Sequence, residues 1–272
     1  MMKNRLAGMV ALVTGSGGGG IGTGIALCLA DYGAKVAVND LSEELAAPTV
    51  EQIREKGGEA IAVIGNITNT EDTRAMVEKT VAHFGRLDIL VNNVGIGGRS
   101  LIENMPDEEW LNTLGVDLTG TFKMCRAVVP QMRKQKFGRI ISIGSVGGLR
   151  VNFVTGAHVT SAKSGLLGLT RHLAAEEGEN KITVNCVLPG GTLTPKLYAA
   201  YPPEKHKDLG KGGLLGRMAT PRDIGEAVAF LASREAEHIT GGYIAVDGGS
   251  LIFPGNVEAF EKGRSEMVFK RR

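Results

Sequence analysis

Short, unbroken apolar runs alternate along the chain with stretches in which apolar positions return every three or four residues. The runs at 9–13, 35–39, 60–64, 87–91, 139–143, 182–187 and 243–246 predict strands, and their continuity suits parallel strands covered on both faces. Between them the spacing predicts helices over 43–57, ending at Gly57-Gly58, and over 70–85, with Thr70 as cap and Gly85 as terminator. A long helical region is expected over 107–134 after Pro106, another helix over 160–178, and a last one opening at Pro221. Residues 192–216 carry Pro195, Pro202, Pro203 and several glycines and read as an irregular lid. Strands alternating with helices predict an α/β fold: a single-domain, Rossmann-like, doubly wound parallel sheet of about seven strands with ligands at the strands' carboxyl ends.

The stretch that organises the rest is MVALVTGSGGGGIGTG, residues 9–24. A strand passes through a glycine-dense turn (Gly15, Ser16, Gly20, Ile21 and Gly22 among its residues) into a helix. Glycines let bare backbone N–H groups approach a pyrophosphate, and the positive end of the helix dipole favours the anion. The second strand ends at Asp40-Leu41, about 20 residues past the glycines, where a dinucleotide-binding unit places the acid that accepts hydrogen bonds from the adenosine ribose. A carboxylate there repels a 2′-phosphate, which argues for NAD(H) over NADP(H).

Composition narrows the classes without adding chemistry. The 272 residues carry a net charge of +2 with no block of like charges before Lys270-Arg271-Arg272, so there is no nucleic-acid footprint. No signal peptide or membrane span is expected, and no metal site. The three cysteines, Cys28, Cys125 and Cys186, lie far apart in apolar segments and read as buried free thiols of a cytoplasmic protein.

Taken together, Thr14-Gly15…Gly20-Ile21-Gly22, Asp40, Asn92-Asn93-Val94-Gly95, Ser145 at a strand end, Ser161-Ala162-Lys163, Pro189-Gly190…Thr194 and the run ITGGYIAVDGG resemble the short-chain dehydrogenase/reductase family over about residues 6–250. The resemblance implies one domain over 1–250 and a homotetramer, or a mixed oligomer with a related subunit, acting on a small-molecule substrate. It implies that Asn66 and Ile67 flank the adenine and that Asn93, Val94 and Gly95 line the nicotinamide ribose, whose hydroxyls Lys163 binds. It also implies that Pro189, Gly190, Thr192 and Thr194 hold the carboxamide.

Several departures from the family pattern bear on catalysis. The glycine turn has one residue more than usual between Thr14-Gly15 and Gly20-Ile21-Gly22. The family's catalytic tyrosine stands four residues before the lysine, and here that position is Val159. His158 lies 13 residues after Ser145, the usual serine-to-tyrosine interval, and is the candidate proton donor if it stands just before the helix. Within a helix, five residues from Lys163, it would point about 140° away. Asp117 occupies a position where the family usually has an asparagine, and either orients Lys163 through water or sits in a helix kink. Tyr198 and Tyr201, in the lid, are further donors.

The expected catalytic set is therefore Ser145, His158, Lys163 and Asp117, in an NAD(H)-dependent oxidoreductase that interconverts a hydroxyl and a carbonyl with a non-standard proton donor. A reductase of an enoyl or dienoyl thioester, a non-catalytic subunit paired with an active paralogue, and a lyase or hydrolase with structural NAD are the alternatives. The lid carries no charge cluster that identifies a phosphate. Residues 251–272 form an extension with an apolar side, expected to pack on a neighbouring subunit or over the substrate pocket.

Overall fold

A computed structural model describes residues 4–151, 155–209, 214–252 and 262. Seven strands form one parallel sheet: β1 (Val10–Val13), β2 (Lys35–Asp40), β3 (Ala60–Ile64), β4 (Ile89–Asn92), β5 (Gly138–Ile143), β6 (Ile182–Pro189) and β7 (Tyr243–Val246). Their order across the sheet is β3-β2-β1-β4-β5-β6-β7, so the chain reverses its direction of winding between β1 and β4. That reversal leaves a crevice at the carboxyl ends of those two strands, where open α/β sheets bind ligands.

Alternate residues of β1 to β6 feed apolar layers on the two faces of the sheet. Ala11, Val13, Val36, Val38, Ile89, Val91, Ile141 and Ile143 pack with α1 (Ile21–Asp31), α2 (Glu43–Glu55) and α8 (Pro221–Ala232). Val10, Leu12, Ala37, Leu90 and Ile140 face the other way. They pack with α3 (Thr70–Phe84), α5 (Thr121–Gln135) and α6 (Ala157–Glu177). The expected doubly wound sheet with helices on both faces is what the chain forms. Helices α1 and α8 cross closely, because a Cβ at Gly24 would stand 2.3 Å from Pro221 Cβ and one at Gly225 2.7 Å from Cys28 Cβ.

Several local expectations shift. Asn69, not Thr70, caps α3, its side chain accepting from the N–H groups of Glu71 and Asp72 at 2.8 and 3.1 Å. The long helix expected over 107–134 is interrupted: α4 (Asp107–Leu114) runs into a π-helical turn, Gly115–Gly120, before α5 begins. The lid segment is less irregular than its prolines suggest, with a short helix α7 (Pro195–Ala199) capped by Thr194. Helix α6 starts at Ala157, three residues earlier than the pattern predicts.

The three thiols are buried and free, as expected. Burial pushes Cys28 and Cys125 up to about 12 and Cys186 up to about 11, so all three stay protonated near neutrality. No helix among the described residues is long and apolar enough to cross a membrane, and no group of metal-binding side chains occurs among them. Of the extension, Leu251 packs beside Val146, Leu167, Cys186 and Leu188 of the same chain. The remaining expectation for 251–272 falls on residues 253–261 and 263–272, outside the described residues.

Candidate active site

Two clefts meet at the carboxyl edge of the sheet. The first, about 580 Å³, is lined by Gly15, Gly20, Ile21, Gly22, Asp40, Leu41, Asn66, Ile67, Asn93, Val94, Gly95 and Thr194, all expected to bind the cofactor. The second, about 640 Å³, holds Ser145 with Pro189, Gly190 and Thr192. Ile21, Thr194 and Lys196 line both, so the two spaces share a wall.

The glycine turn has the form that an anion requires. Gly15 holds φ at +60°, a region open to glycine. At Gly22 a Cβ would meet the Gly15 carbonyl at 2.3 Å and Asn93 Nδ2 at 2.5 Å, so helix and turn can touch only without a side chain. At Gly18 and Gly20 a Cβ would meet no protein atom within 4 Å, and both residues border the cleft. The first turn of α1 has no side-chain cap and no acidic residue, which leaves its N–H groups for a ligand. Asn93 secures the floor, its side-chain amide donating to the carbonyls of Thr14 (3.0 Å) and Gly15 (2.9 Å).

Asp40 is fixed from both sides. Its Oδ2 accepts from the Gly17 N–H at 2.9 Å and its Oδ1 from the Leu41 N–H at 2.9 Å. The lengthened turn therefore reaches back to the carboxylate and orients it in the cleft. Ser16 does not belong with the ligand contacts by its side chain. Its hydroxyl donates to the Val13 carbonyl at 2.8 Å and it is fully buried, pinning the turn to β1.

Beneath Gly95 lies the other charged feature. Lys163 Nζ stands 3.0 Å from Asp117 Oδ2 and 3.3 Å from the Ile143 carbonyl, and both side chains are buried. Asp117 Oδ1 also accepts from the Ile96 N–H at 2.7 Å. The π-turn carries Asp117 inward by inserting an extra residue into the helical repeat, so the carboxylate holds the ammonium directly and not through water. A Cβ on Gly95 would come within 2.9 Å of Lys163 Nζ, which places the pair just under the first cleft. Ser145 follows β5, two residues beyond its end at Ile143, with its Oγ accepting from the Gly147 N–H at 3.0 Å.

His158 is not where a loop histidine before the helix would stand. It lies in the first turn of α6, fully buried, with Nε2 3.3 Å from Glu109 Oε1. Positions where a Cβ would clash with its ring, Gly98 and Gly156, flank it closely. Its ring borders neither cleft, and Glu109 is engaged in turn by the Ser100 hydroxyl at 2.6 Å. Tyr201, by contrast, lines the cleft that holds Ser145. Val159 is buried and apolar.

The second cleft also shows residues that the sequence pattern missed: Arg99 and Arg150, which line it together with Ser145, and Lys196 on the shared wall. Arg99 and Arg150 come from separate loops and Lys196 from α7, and no periodicity joins them.

A family model described as "Enoyl-(Acyl carrier protein) reductase" matches residues 17–250. The chain belongs to the short-chain dehydrogenase/reductase family and is an oxidoreductase of that family. It is 40% identical over 248 residues to an uncharacterized oxidoreductase of Thermotoga maritima, covering 89% of this chain and 97% of the relative. It is 40% identical over 243 residues to a 3-oxoacyl-(acyl-carrier-protein) reductase of Staphylococcus aureus, covering 89% and 98% respectively. Among solved structures it is similar to a 7α-hydroxysteroid dehydrogenase complexed with NADH and 7-oxoglycochenodeoxycholic acid. That likeness has TM-score 0.84 and 33% identity, over 90% of this chain and 95% of the other.

Proposed function

We propose that the chain is an NAD(H)-dependent enzyme that reduces a carbonyl to a hydroxyl, with Lys163 and not a phenol or imidazole as the source of the proton. The observation that carries the reading is the buried Lys163–Asp117 pair, 3.0 Å apart, with Nζ directly beneath Gly95, which lines the first cleft, and 3.3 Å from the Ile143 carbonyl at the end of β5.

Asp40, held by the Gly17 and Leu41 N–H groups, keeps its acceptor lone pairs for a ribose diol and opposes a 2′-phosphate. The open N-terminus of α1 would hold the pyrophosphate, and Asn93 to Gly95 would line the nicotinamide end. The bound nicotinamide supplies the hydride. Ser145 Oγ is placed to hydrogen-bond the substrate oxygen as negative charge develops on it.

Lys163 Nζ, 3.0 Å from Asp117 Oδ2 and 3.3 Å from the Ile143 carbonyl, is the proton source for the substrate oxygen in this reading. His158, turned toward Glu109, serves to pack α6 against α4 in this reading.

Stopped-flow oxidation of NADH against a panel of ketones tests the roles. Ser145→Ala and Lys163→Met are expected to slow the hydride step by about 10²-fold or more. Tyr201→Phe is expected to leave it within about threefold, since a general acid contributes far more than that. A large loss in Tyr201→Phe with Lys163→Met near wild type overturns the assignment of the proton.

A further inference from the structure

We infer that the cleft bearing Ser145 is built for a short aliphatic carbonyl compound carrying an oxyanion, which Arg99 and Arg150 grip at the end remote from the reacting carbon. This inference rests on the redox reading above and names its substrate class.

Four basic side chains and one acid, Asp247, line that cleft. They are not equivalent. Arg217 is already committed to Asp223, through paired bonds of 2.7 and 2.9 Å. Lys196 borders both clefts, so a cofactor phosphate accounts for it without any substrate charge. Asp247 is engaged by the N–H groups of Gly249 (3.0 Å) and Leu251 (2.7 Å) and by the Ser250 hydroxyl (3.2 Å).

What remains is Arg99 and Arg150, neither of which has an acidic partner among the described residues. The Nε of Arg150 is moreover buried with no hydrogen-bond partner among the described residues. A guanidinium nitrogen withdrawn from water and left unbonded is costly, and a planar fork of this kind matches the paired oxygens of a carboxylate or phosphate. Two such groups in one concave space also draw anions toward Ser145 from solution.

The rest of the wall sets the body of the ligand. Val146, Leu197, Ala200 and Met218 give the cleft an apolar side, and about 640 Å³ leaves room for a short chain. An acid group, a few methylenes and a carbonyl near Ser145 satisfy all of these features at once. In the reaction the carbonyl carbon gains hydride from NADH and the oxygen gains the Lys163 proton, leaving a hydroxy compound and NAD⁺. The oxyanion itself is unchanged.

The source of the oxyanion is either a carboxylate on the substrate or the phosphates of a thioester carrier, and matched probes separate them. NADH-saturated protein is titrated calorimetrically with acetoacetate and with its uncharged ethyl ester. It is titrated likewise with acetoacetyl-coenzyme A and with the neutral acetoacetyl-N-acetylcysteamine. At least one charged probe is expected to bind about tenfold or more tightly than its neutral counterpart. The acetoacetate pair reports a carboxylate and the coenzyme A pair a phosphate.

In the Arg99→Gln/Arg150→Gln double variant that preference is expected to fall below about threefold while NADH affinity is unchanged, which also shows that the variant is folded. Wild type that binds neither charged probe better than its neutral partner overturns the inference. So does a preference that survives in the double variant. Protein that binds no NADH overturns the redox reading instead.

Discussion

Replacing the buried imidazole separates two roles for His158. If it packs α6 against Glu109, then His158→Ala opens a cavity and leaves Glu109 without its neighbour, at a cost of about 1–3 kcal/mol in denaturant unfolding. The hydride step should then stay within about threefold of wild type, measured by single-turnover NADH oxidation at saturating cofactor. A loss of about 10²-fold or more with unchanged NADH affinity would instead return the imidazole to the chemistry. The residue shows where sequence reading stops. Its interval from Ser145 was plain, but its direction depended on whether α6 began at 157 or 160. Gly156, the residue before the helix, has no side chain to signal the start. Asp40 was legible because its place at the end of β2 follows from the strand itself. Its tie to Gly17 was not, since that contact depends on the folded shape of an unusually long glycine turn.

Helix α8 is held at its start by more than its own turn. Thr220 and Asp223 form a reciprocal capping box, and Asp223 also receives the Arg217 guanidinium. Hydrogen bonding from Arg217 is the main cause that holds the Asp223 carboxyl well below the usual carboxylate range, with the Thr220 N–H and hydroxyl adding to it. A depressed folded-state pKa means stability that is present above the unfolded value of about 4 and lost as pH falls below it. Asp223→Ala is thus expected to cost about 0.5–2 kcal/mol at pH 7, with the gap to wild type narrowing below about pH 4. Urea unfolding at both pH values checks this, and a gap that widens in acid contradicts it. Among the elements, strands were read most surely because they are short apolar runs, and those from β1 to β6 feed both layers. The π-turn at Gly115–Gly120 was legible only as the alternative of a kink at Asp117, because inserting one residue into a helical repeat leaves the surrounding pattern looking helical. Yet it decides that Asp117 meets Lys163 directly.

For the molecule as a whole, the strand order brings residues from distant parts of the chain to one edge of the sheet. Gly15, Asp40, Asn93, Ser145 and Thr194 all follow strand ends or the turns beyond them, which is why the sequence pattern could place them. Arg99 and Arg150 sit 51 residues apart in loops, and only the closed fold sets them in one cleft. The account depends above all on a cradle in which bare N–H groups meet a pyrophosphate while Asp40 meets a ribose diol. Calorimetric titration of the wild-type chain with NADH and with NADPH tests it most directly. NADH is expected to bind, and NADPH to bind at least about tenfold more weakly because its 2′-phosphate faces the Asp40 carboxylate. Tighter binding of NADPH, or no heat with either dinucleotide, would contradict it.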